Sequence, residues 1–105
     1  MFRSFLTATL LLLFNYSKSQ TSFTLSGYIL DESSKEVIIG SNIIIPSLKT
    51  GTISNSYGFY SITVSKGNYD IVFNLLGYKE VVKKIIVDRN ITMDILLSEQ
   101  IEELS

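Results

Sequence analysis

The stretch Gly51-Thr52-Ile53-Ser54-Asn55-Ser56-Tyr57-Gly58-Phe59-Tyr60-Ser61-Ile62-Thr63-Val64 indicates most clearly which fold class the sequence encodes. Its second half alternates, with Tyr60, Ile62 and Val64 on one side of an extended chain and more polar residues on the other. A period of two predicts a strand that is buried on one face. The preceding Asn-Ser-Tyr-Gly run predicts a turn, in which Gly58 is expected to have a positive φ. A strand, a turn and a second strand are therefore predicted here.

Similar patterns extend along the chain in both directions. The run Val37-Ile38-Ile39 does not alternate, so part of it is expected to be covered on both faces. Lys79, Lys83 and Lys84 fall on both parities of their segment, which predicts an edge strand or a bulge. No segment predicts an amphipathic helix of useful length. Seven short strands separated by turns predict an all-β, seven-stranded sandwich. The predicted strands cover residues 23–30, 37–45, 51–54, 59–64, 69–75, 78–87 and 91–97, with turns at 31–36, 55–58, 66–68 and 88–90.

The N-terminal residues have the pattern of an export signal. Arg3 precedes the apolar run 5–14, and the polar stretch that follows has the small residues Ser17 and Ser19 at the positions that a signal peptidase reads. The alternative is a membrane anchor, but a helix over this run would span only about 15 Å of a hydrocarbon core about 30 Å thick. We therefore expect a signal peptide over residues 1–19, cleavage before residue 20, an exported protein and no transmembrane segment in the mature chain.

Composition argues against several classes of protein. The chain has 105 residues, no Cys and no His, and a formal charge of −1. The length allows one domain. The missing residue types remove the usual ligands of transition metals, any thiol nucleophile and the commonest general base. A nucleic-acid-binding protein would be expected to carry a basic excess, which this chain lacks.

The carboxylates are the remaining candidates for chemistry. They are expected to lie mainly in turns or on outward strand positions, where solvated surface charge is the simpler explanation. The segment Asp31-Glu32-Ser33-Ser34 lacks the spacing and the glycine of a dedicated calcium loop. We therefore expect no catalytic residue, no metal ligand, no cofactor and no enzymatic activity. The carboxylates considered are Asp31, Glu32, Glu36, Asp70, Asp88 and Asp94.

Six short motifs follow one another in a specific order. They are Ser26-Gly27-Tyr28-Ile29-Leu30-Asp31, Ile39-Gly40-Ser41-Asn42-Ile43, Gly51-Thr52-Ile53-Ser54-Asn55, Gly58-Phe59-Tyr60-Ser61-Ile62, Lys66-Gly67-Asn68-Tyr69 and Leu76-Gly77-Tyr78. In this order they resemble the carboxypeptidase regulatory-like (carboxypeptidase D regulatory-like) domain over residues 23–98. The resemblance implies a Greek-key, transthyretin-like (prealbumin-like) sandwich that follows the cleaved signal helix. It also implies that the motif residues are structural, namely Gly27, Asp31, Gly40, Gly51, Asn55, Gly58, Tyr60, Gly67, Gly77 and Tyr78.

The resemblance also implies a cellular role. In exported bacterial proteins such domains are often found at the N-terminus of TonB-dependent, SusC-like outer-membrane receptors, ahead of the TonB box and plug. Residues Ile101, Glu102, Glu103 and Leu104 look like the segment leading into a TonB box, although a short acidic tail is also typical of a solvated terminus. We therefore expect a signal peptide over 1–19, the sandwich domain over 20–98, and an acidic tail over 99–105 leading towards a missing TonB box.

The leading functional hypothesis is a non-catalytic periplasmic interaction module, the N-terminal domain or a fragment of such a receptor for nutrient uptake. Its partner would be a protein at the periplasmic face of the outer membrane, either the receptor plug and barrel or the TonB system. The alternative is a stand-alone exported sandwich that binds a protein or glycan, or an accessory domain of a peptidase. The basic residues Lys79, Lys83, Lys84 and Arg89 either meet an acidic partner or lipid headgroups, or protect an edge strand.

Overall fold

The computed structural model describes residues 21–101, which form two β-sheets connected by turns and loops. The predicted signal peptide over residues 1–19 lies outside the described residues, as do Glu102, Glu103 and Leu104. A short 3-10 helix, Pro46–Leu48, connects two of the strands. The strands are β1 (Ser22–Asp31), β2 (Asn42–Ile45), β3 (Thr50–Ile53), β4 (Phe59–Ser65), β5 (Gly67–Asn74), β6 (Val81–Val87), β7 (Ile91–Thr92) and β8 (Ile95–Leu97).

The strands form two sheets of four. In sheet A, β1 is central. β4 pairs with it on one side, and β7 and β8 pair with it one after the other on the opposite side. Sheet B has the order β3-β2-β5-β6. The pairs β1–β7 and β1–β8 are parallel, and the other strand pairs are antiparallel. The prediction of an all-β sandwich is therefore confirmed.

The core lies between the two sheets, as the alternation predicts. Tyr60, Ile62 and Val64 of β4 are buried, while Ser61 and Thr63 between them are exposed. The ring of Tyr60 meets that of Phe73 from sheet B edge to face, with centroids 5.6 Å apart. Burying one large apolar side chain stabilises a fold by about 1.5–3 kcal/mol. The buried hydrophobic residues are Leu25, Ile29, Ile38, Ile43, Ile45, Tyr60, Ile62, Val64, Ile71, Phe73, Val87, Ile95 and Leu97.

The prediction for the run Val37-Ile38-Ile39 is wrong in part. Only Ile38 is buried, and Val37 and Ile39 are exposed. The run lies outside the regular strands and is held by a single bridge between Val37 and Leu30 and by a bond from the Ile38 amide to the Ile29 carbonyl, 2.8 Å. Because this segment is not inside a ladder, nothing requires both of its faces to be covered.

The prediction for the last strand, 91–97, needs a correction. The segment is divided into β7 and β8, so residues 21–101 form eight strands rather than seven. Both parts keep one register on β1, since Leu25 is opposite Ile91 and Ile29 is opposite Ile95. The interruption falls at residues 93–94, where hydrogen bonds from the Tyr60 side chain and to the Asp94 side chain replace part of the backbone pairing.

The position of β6 confirms the edge-strand prediction. Among the described residues the strand pairs with β5 alone and forms one edge of sheet B, although it begins at Val81 rather than at residue 78. Lys84 is opposite Asp70, and Lys83 is opposite the buried Ile71. Charged residues on both parities of an edge strand discourage another strand from pairing with it.

The turn before β4 is also confirmed, because Gly58 has a φ of +76°. The Asn55 Oδ1 atom accepts hydrogen bonds from the Tyr57 and Phe59 amides, at 2.9 and 3.0 Å. The turn predicted at 66–68 is narrower than expected, since β5 already begins at Gly67.

Substituting alanine at Gly58 and at Gly40 is expected to separate backbone strain from crowding. Both glycines have a φ of +76°, but a Cβ at Gly58 would lie 2.7 Å from the Val37 Cβ, whereas a Cβ at Gly40 would meet nothing within 4 Å. We expect Gly40→Ala to cost about 1–2 kcal/mol from the left-handed conformation alone. Gly58→Ala should cost about 1 kcal/mol more, because the exposed Val37 must move. Urea unfolding of both variants measures the difference, and equal costs would contradict the crowding argument.

Candidate interaction surface

Three motif residues meet where β7 and β8 are interrupted. Tyr60 Oη donates a hydrogen bond to the Met93 carbonyl, 2.6 Å, and the Tyr28 amide donates to Asp94 Oδ1, 2.9 Å. In a regular parallel ladder in this register, the Tyr28 amide would bond the Met93 carbonyl instead. A Cβ on Gly27 would lie 2.0 Å from the Met93 carbonyl oxygen. Gly27 therefore leaves the space in which two side chains replace one backbone hydrogen bond.

The environment of Tyr60 keeps its hydroxyl protonated. Burial raises the pKa of Tyr60 to about 12, and the negative charge of Asp94 contributes in the same direction. The phenol therefore acts as a donor to the Met93 carbonyl over the whole physiological range. Its role is to hold the interrupted strand on the core.

Asp31 is the one predicted surface carboxylate that the structure places differently. The residue is only 8% exposed. Its Oδ1 accepts hydrogen bonds from the Ser33 and Ser34 amides at 2.9 and 3.0 Å, and its Oδ2 accepts one from Tyr78 Oη at 3.0 Å. The Ser34 amide and the Tyr78 hydroxyl hold the pKa of Asp31 below its usual range, and the same bond to Asp31 raises the pKa of Tyr78. Asp31 therefore closes its own loop and fixes the Tyr78 ring at the end of the sandwich.

The Asp31 contacts predict a dependence of stability on acid. Because folding lowers the pKa of this carboxyl, its contribution is present above the unfolded value of about 3.9 and is lost as pH falls through the folded value. Asp31→Asn should lower stability at neutral pH and flatten the pH profile in this acidic window. Tyr78→Phe, which removes one of the three bonds, should produce a smaller change in the same direction. Melting temperatures across acidic pH test this, and an unchanged Asp31→Asn profile would contradict it.

The same end of the sandwich holds the last described residues. The Lys79 amide donates to the Ser98 carbonyl and the Gln100 amide to the Gly77 carbonyl, each at 2.8 Å. This pairing ties the chain after β8 to the turn at Gly77, whose φ is +92°. Ile101 follows and is exposed, while the rest of the predicted receptor-junction segment lies outside the described residues.

The buried Ser54 hydroxyl and the Ser41 backbone form a hydrogen-bond network that was not predicted from the sequence. Ser54 Oγ accepts a bond from the Ser41 amide, 2.9 Å, and donates to the Ile38 carbonyl, 2.8 Å. The backbone of Ser54 also donates to the Ser41 carbonyl, 2.9 Å. Both serines belong to the family-like motifs at residues 39–43 and 51–55, which was the only sign in the sequence that they have a structural role. The network anchors the loop that contains Gly40.

The remaining charged residues do not form a site with evident chemistry. Within residues 21–101, no three acidic side chains come together as they would around a metal ion. Asp70, Asp94, Glu32 and Glu36 are exposed, as predicted. The Arg89 and Asp88 side chains form a local ion pair of 3.0 Å on the surface. Of the predicted structural glycines, Gly51 is exposed and lies in β3, and Gly67 is half-buried and lies in β5.

A contiguous apolar patch covers one end of the solvent face of sheet A. Tyr28 is directly opposite Phe59, and their rings meet edge to face with centroids 5.4 Å apart. Two positions further along β1, Leu30 pairs with Leu96 on one side and with Val37 on the other. Tyr28, Val37 and Leu96 are 45%, 46% and 44% exposed. We call these five residues the sheet-A patch.

The surroundings of the sheet-A patch are polar. Thr24 and Ser26 occupy the outward positions at the other end of β1, and Thr24 shares a hydroxyl hydrogen bond of 2.9 Å with Thr63. Two exposed carboxylates lie at the patch margin. Glu36 is next to Val37 in the chain, and Asp94 accepts a hydrogen bond from the Tyr28 amide. Apolar side chains bordered by polar ones are typical of contact surfaces.

Comparisons with known proteins agree with the architecture. A family model described as the CarboxypepD_reg-like domain matches residues 25–105. No curated protein is significantly similar in sequence. Among the described residues there is no helix whose length and apolar character would let it cross a bilayer.

Several solved structures are similar in fold. The Bacillus anthracis TIE protein is 20% identical with a TM-score of 0.60, over 75% of this chain but only 17% of its own length. The C-terminal domain of shaft pilin spaA from Lactobacillus rhamnosus GG is 15% identical with a TM-score of 0.60, over 77% of this chain and 100% of the pilin domain. A protein from Bacteroides uniformis ATCC 8492, described as a candidate carbohydrate binding protein, is 16% identical with a TM-score of 0.58, over 75% of this chain and 42% of its own. At these identities the likeness establishes the sandwich fold alone.

Proposed function

Because the chain belongs to the carboxypeptidase regulatory-like domain family, we propose that it is a non-enzymatic interaction module that binds its partner through the sheet-A patch. The observation that carries this proposal is the row of exposed apolar residues on a strand face, where Tyr28, Val37 and Leu96 are each nearly half exposed. Apolar patches bordered by polar residues are typical of contact sites. The lack of His and Cys agrees with a role in binding.

The charges around the patch define the chemistry of the partner. Glu36 and Asp94 border it and are exposed. A partner surface that presents aliphatic or aromatic side chains flanked by Lys or Arg would match both features. The central apolar contact would supply most of the affinity, and the charges would favour the correct partner.

The more specific proposal is that the module is the N-terminal domain of a TonB-dependent outer-membrane receptor for nutrient uptake. Its contacts would then be made in the periplasm with the receptor plug and barrel or with the TonB system. The signal-like pattern of residues 1–19 and the Ile101-Glu102-Glu103-Leu104 segment support this proposal. Reading the gene beyond the Ser105 codon tests it. A continuous frame that encodes a plug and a barrel is the expected result, and a stop codon at that position would contradict it.

A stand-alone module that binds a glycan, or one that accompanies a peptidase, is the second candidate. Tyr28 of the Tyr28–Phe59 aromatic pair supports this candidate, since its exposed ring offers a ligand an apolar body with a hydroxyl at its tip. NMR titration with oligosaccharides distinguishes the two candidates. Shifts confined to the amides around Tyr28, abolished by Tyr28→Ala and retained by Thr24→Ala, would favour the glycan. No shift with any sugar would favour the protein partner.

A further inference from the structure

The edges of the two sheets are protected to different degrees. The β6 edge has Lys83 and Lys84, one on each parity. On the opposite side of β1 from β4, the strands β7 and β8 are only two and three residues long, and residues 93–94 interrupt them. Such charges and interruptions prevent a free edge from pairing with another chain.

The β4 edge has none of these protections. The strand is seven residues long and contains no charged residue, proline or glycine. No charged residue occurs anywhere between Thr50 and Ser65. β4 pairs only with β1 in the described part of the chain. A long, uncharged, regular edge strand is a template for pairing with a further strand.

Four hydrogen bonds show which backbone groups of β4 point to the free edge. The Ile29 amide donates to the Gly58 carbonyl, 2.8 Å, and the Lys66 amide donates to the Thr21 carbonyl, 2.7 Å. Even-numbered residues of β4 therefore direct their backbone groups towards β1. The odd-numbered ones point away, as two further bonds confirm: the Asn55 amide donates to the Phe59 carbonyl, 2.9 Å, and Tyr69 Oη donates to the Ser65 carbonyl, 2.8 Å.

These last two contacts cover the ends of the free edge and leave its centre open. The Phe59 amide and carbonyl are both hydrogen-bonded to Asn55, and the Ser65 carbonyl accepts a hydrogen bond from the Tyr69 hydroxyl. Ser61 and Thr63 lie between them, and both residues are exposed. Their amides and carbonyls form a short row of two donors and two acceptors.

We propose that β4 of two copies of this chain pair antiparallel across a two-fold axis at Ile62. In this register, Ser61 of each copy is opposite Thr63 of the other. Each of these two pairs exchanges an N–H···O bond in both directions, which gives four backbone hydrogen bonds. The Ile62 side chains of the two copies lie next to each other on the core side, and the two copies of sheet A become one continuous sheet.

The sequence of the strand favours a second copy as the occupant. Around Ile62 the facing residues are Ser and Thr, so self-pairing brings no like charges together. The same pairing at β6 would place lysines of two copies close together, which is unfavourable. A two-fold interface also closes on itself, so that pairing stops at the dimer. The solvent face of sheet A remains open, so this inference is independent of the proposed function.

Sedimentation velocity of the protein produced from the full chain, from micromolar to millimolar concentration, tests the dimer. We expect a monomer–dimer equilibrium that moves towards dimer as concentration rises. Ser61→Pro removes one donor from each copy and should weaken the dimer at least about tenfold. Ser61→Ala keeps the amide and should leave the dimer unchanged. Circular dichroism melting checks that each variant is folded.

Thr63→Lys is a second disrupting variant, which keeps the backbone amide in case Ser61→Pro does not fold. It places an ammonium group at the centre of each paired edge, and it should also shift the equilibrium to monomer. A wild-type protein that stays monomeric at every concentration would overturn the proposal. So would a dimer that persists in a folded Ser61→Pro or Thr63→Lys variant, because the interface would then lie elsewhere.

Discussion

Replacing Gly27 with alanine should lower the free energy of unfolding by about 3 kcal/mol or more, the upper end of the range for overpacking. The added Cβ would lie 2.0 Å from the Met93 carbonyl oxygen and 2.6 Å from the Met93 carbonyl carbon. Both are backbone atoms, so no side-chain rotation relieves the clash. Relief requires the segment at residues 93–94 to leave β1, and that segment also accepts the Tyr60 and Tyr28 hydrogen bonds.

Gly67→Ala is the matched control for this substitution. A Cβ there would lie 2.9 Å from the Tyr69 hydroxyl oxygen, the far end of a half-buried side chain rather than a backbone atom. We expect a change of less than about 1 kcal/mol, because the ring can shift and alanine restricts the unfolded chain. Urea denaturation of the two variants measures both values. Similar losses for Gly27→Ala and Gly67→Ala would contradict the tight junction at Met93.

Tyr60→Ala should cost about 3–5 kcal/mol, the range for removing a buried aromatic ring. Tyr60 is 1% exposed, packs against Phe73 and donates the 2.6 Å bond to the Met93 carbonyl. Tyr60→Phe keeps the ring and removes only the donor, so it should cost about 1–3 kcal/mol, the penalty for one unpaired buried acceptor. Chemical denaturation measures both, and equal costs would mean that the hydroxyl bond carries the whole effect.

Alkaline pH gives an independent measure of the same hydroxyl. Its pKa is raised to about 12 in the folded protein, against about 10 in an unfolded chain. The folded state therefore holds more protons between these values, so this contribution to stability is lost as pH rises through them. The Tyr60→Phe variant should lose less stability than the wild type over this interval. An identical decline in both proteins would contradict the assignment.

The alternation in the sequence predicts the core because burial on one face of a strand is a local property. Tyr60 and Ile62 of β4 and Ile71 and Phe73 of β5 are buried as predicted. The interruption at residues 93–94 was not predicted, because it depends on Gly27 and Tyr60, which are distant in sequence. Local patterns do not show which backbone bond a distant side chain will replace.

The candidate surface was predictable only in part. Lysines on both parities of residues 78–87 predicted an edge strand, and the structure confirms an edge at β6. The burial of Asp31 was missed, since Asp31 and Tyr78 are brought together only by tertiary structure. Part of the run 37–39 was expected to be covered on both faces, yet Val37 is exposed and completes the sheet-A patch through its bridge to Leu30. These positions all depend on contacts between segments far apart in the chain.

Site-specific photo-crosslinking in intact cells tests most directly whether the sheet-A patch is the contact surface. A photoreactive amino acid placed at Val37 is in the patch, and the same group at Thr24 is on the same exposed strand face but in its hydroxyl-bearing half. We expect one dominant protein adduct from position 37, identified by mass spectrometry as a receptor plug, a receptor barrel or a TonB-system protein, and none from position 24. No adduct from position 37, or the same adducts from both positions, would contradict it.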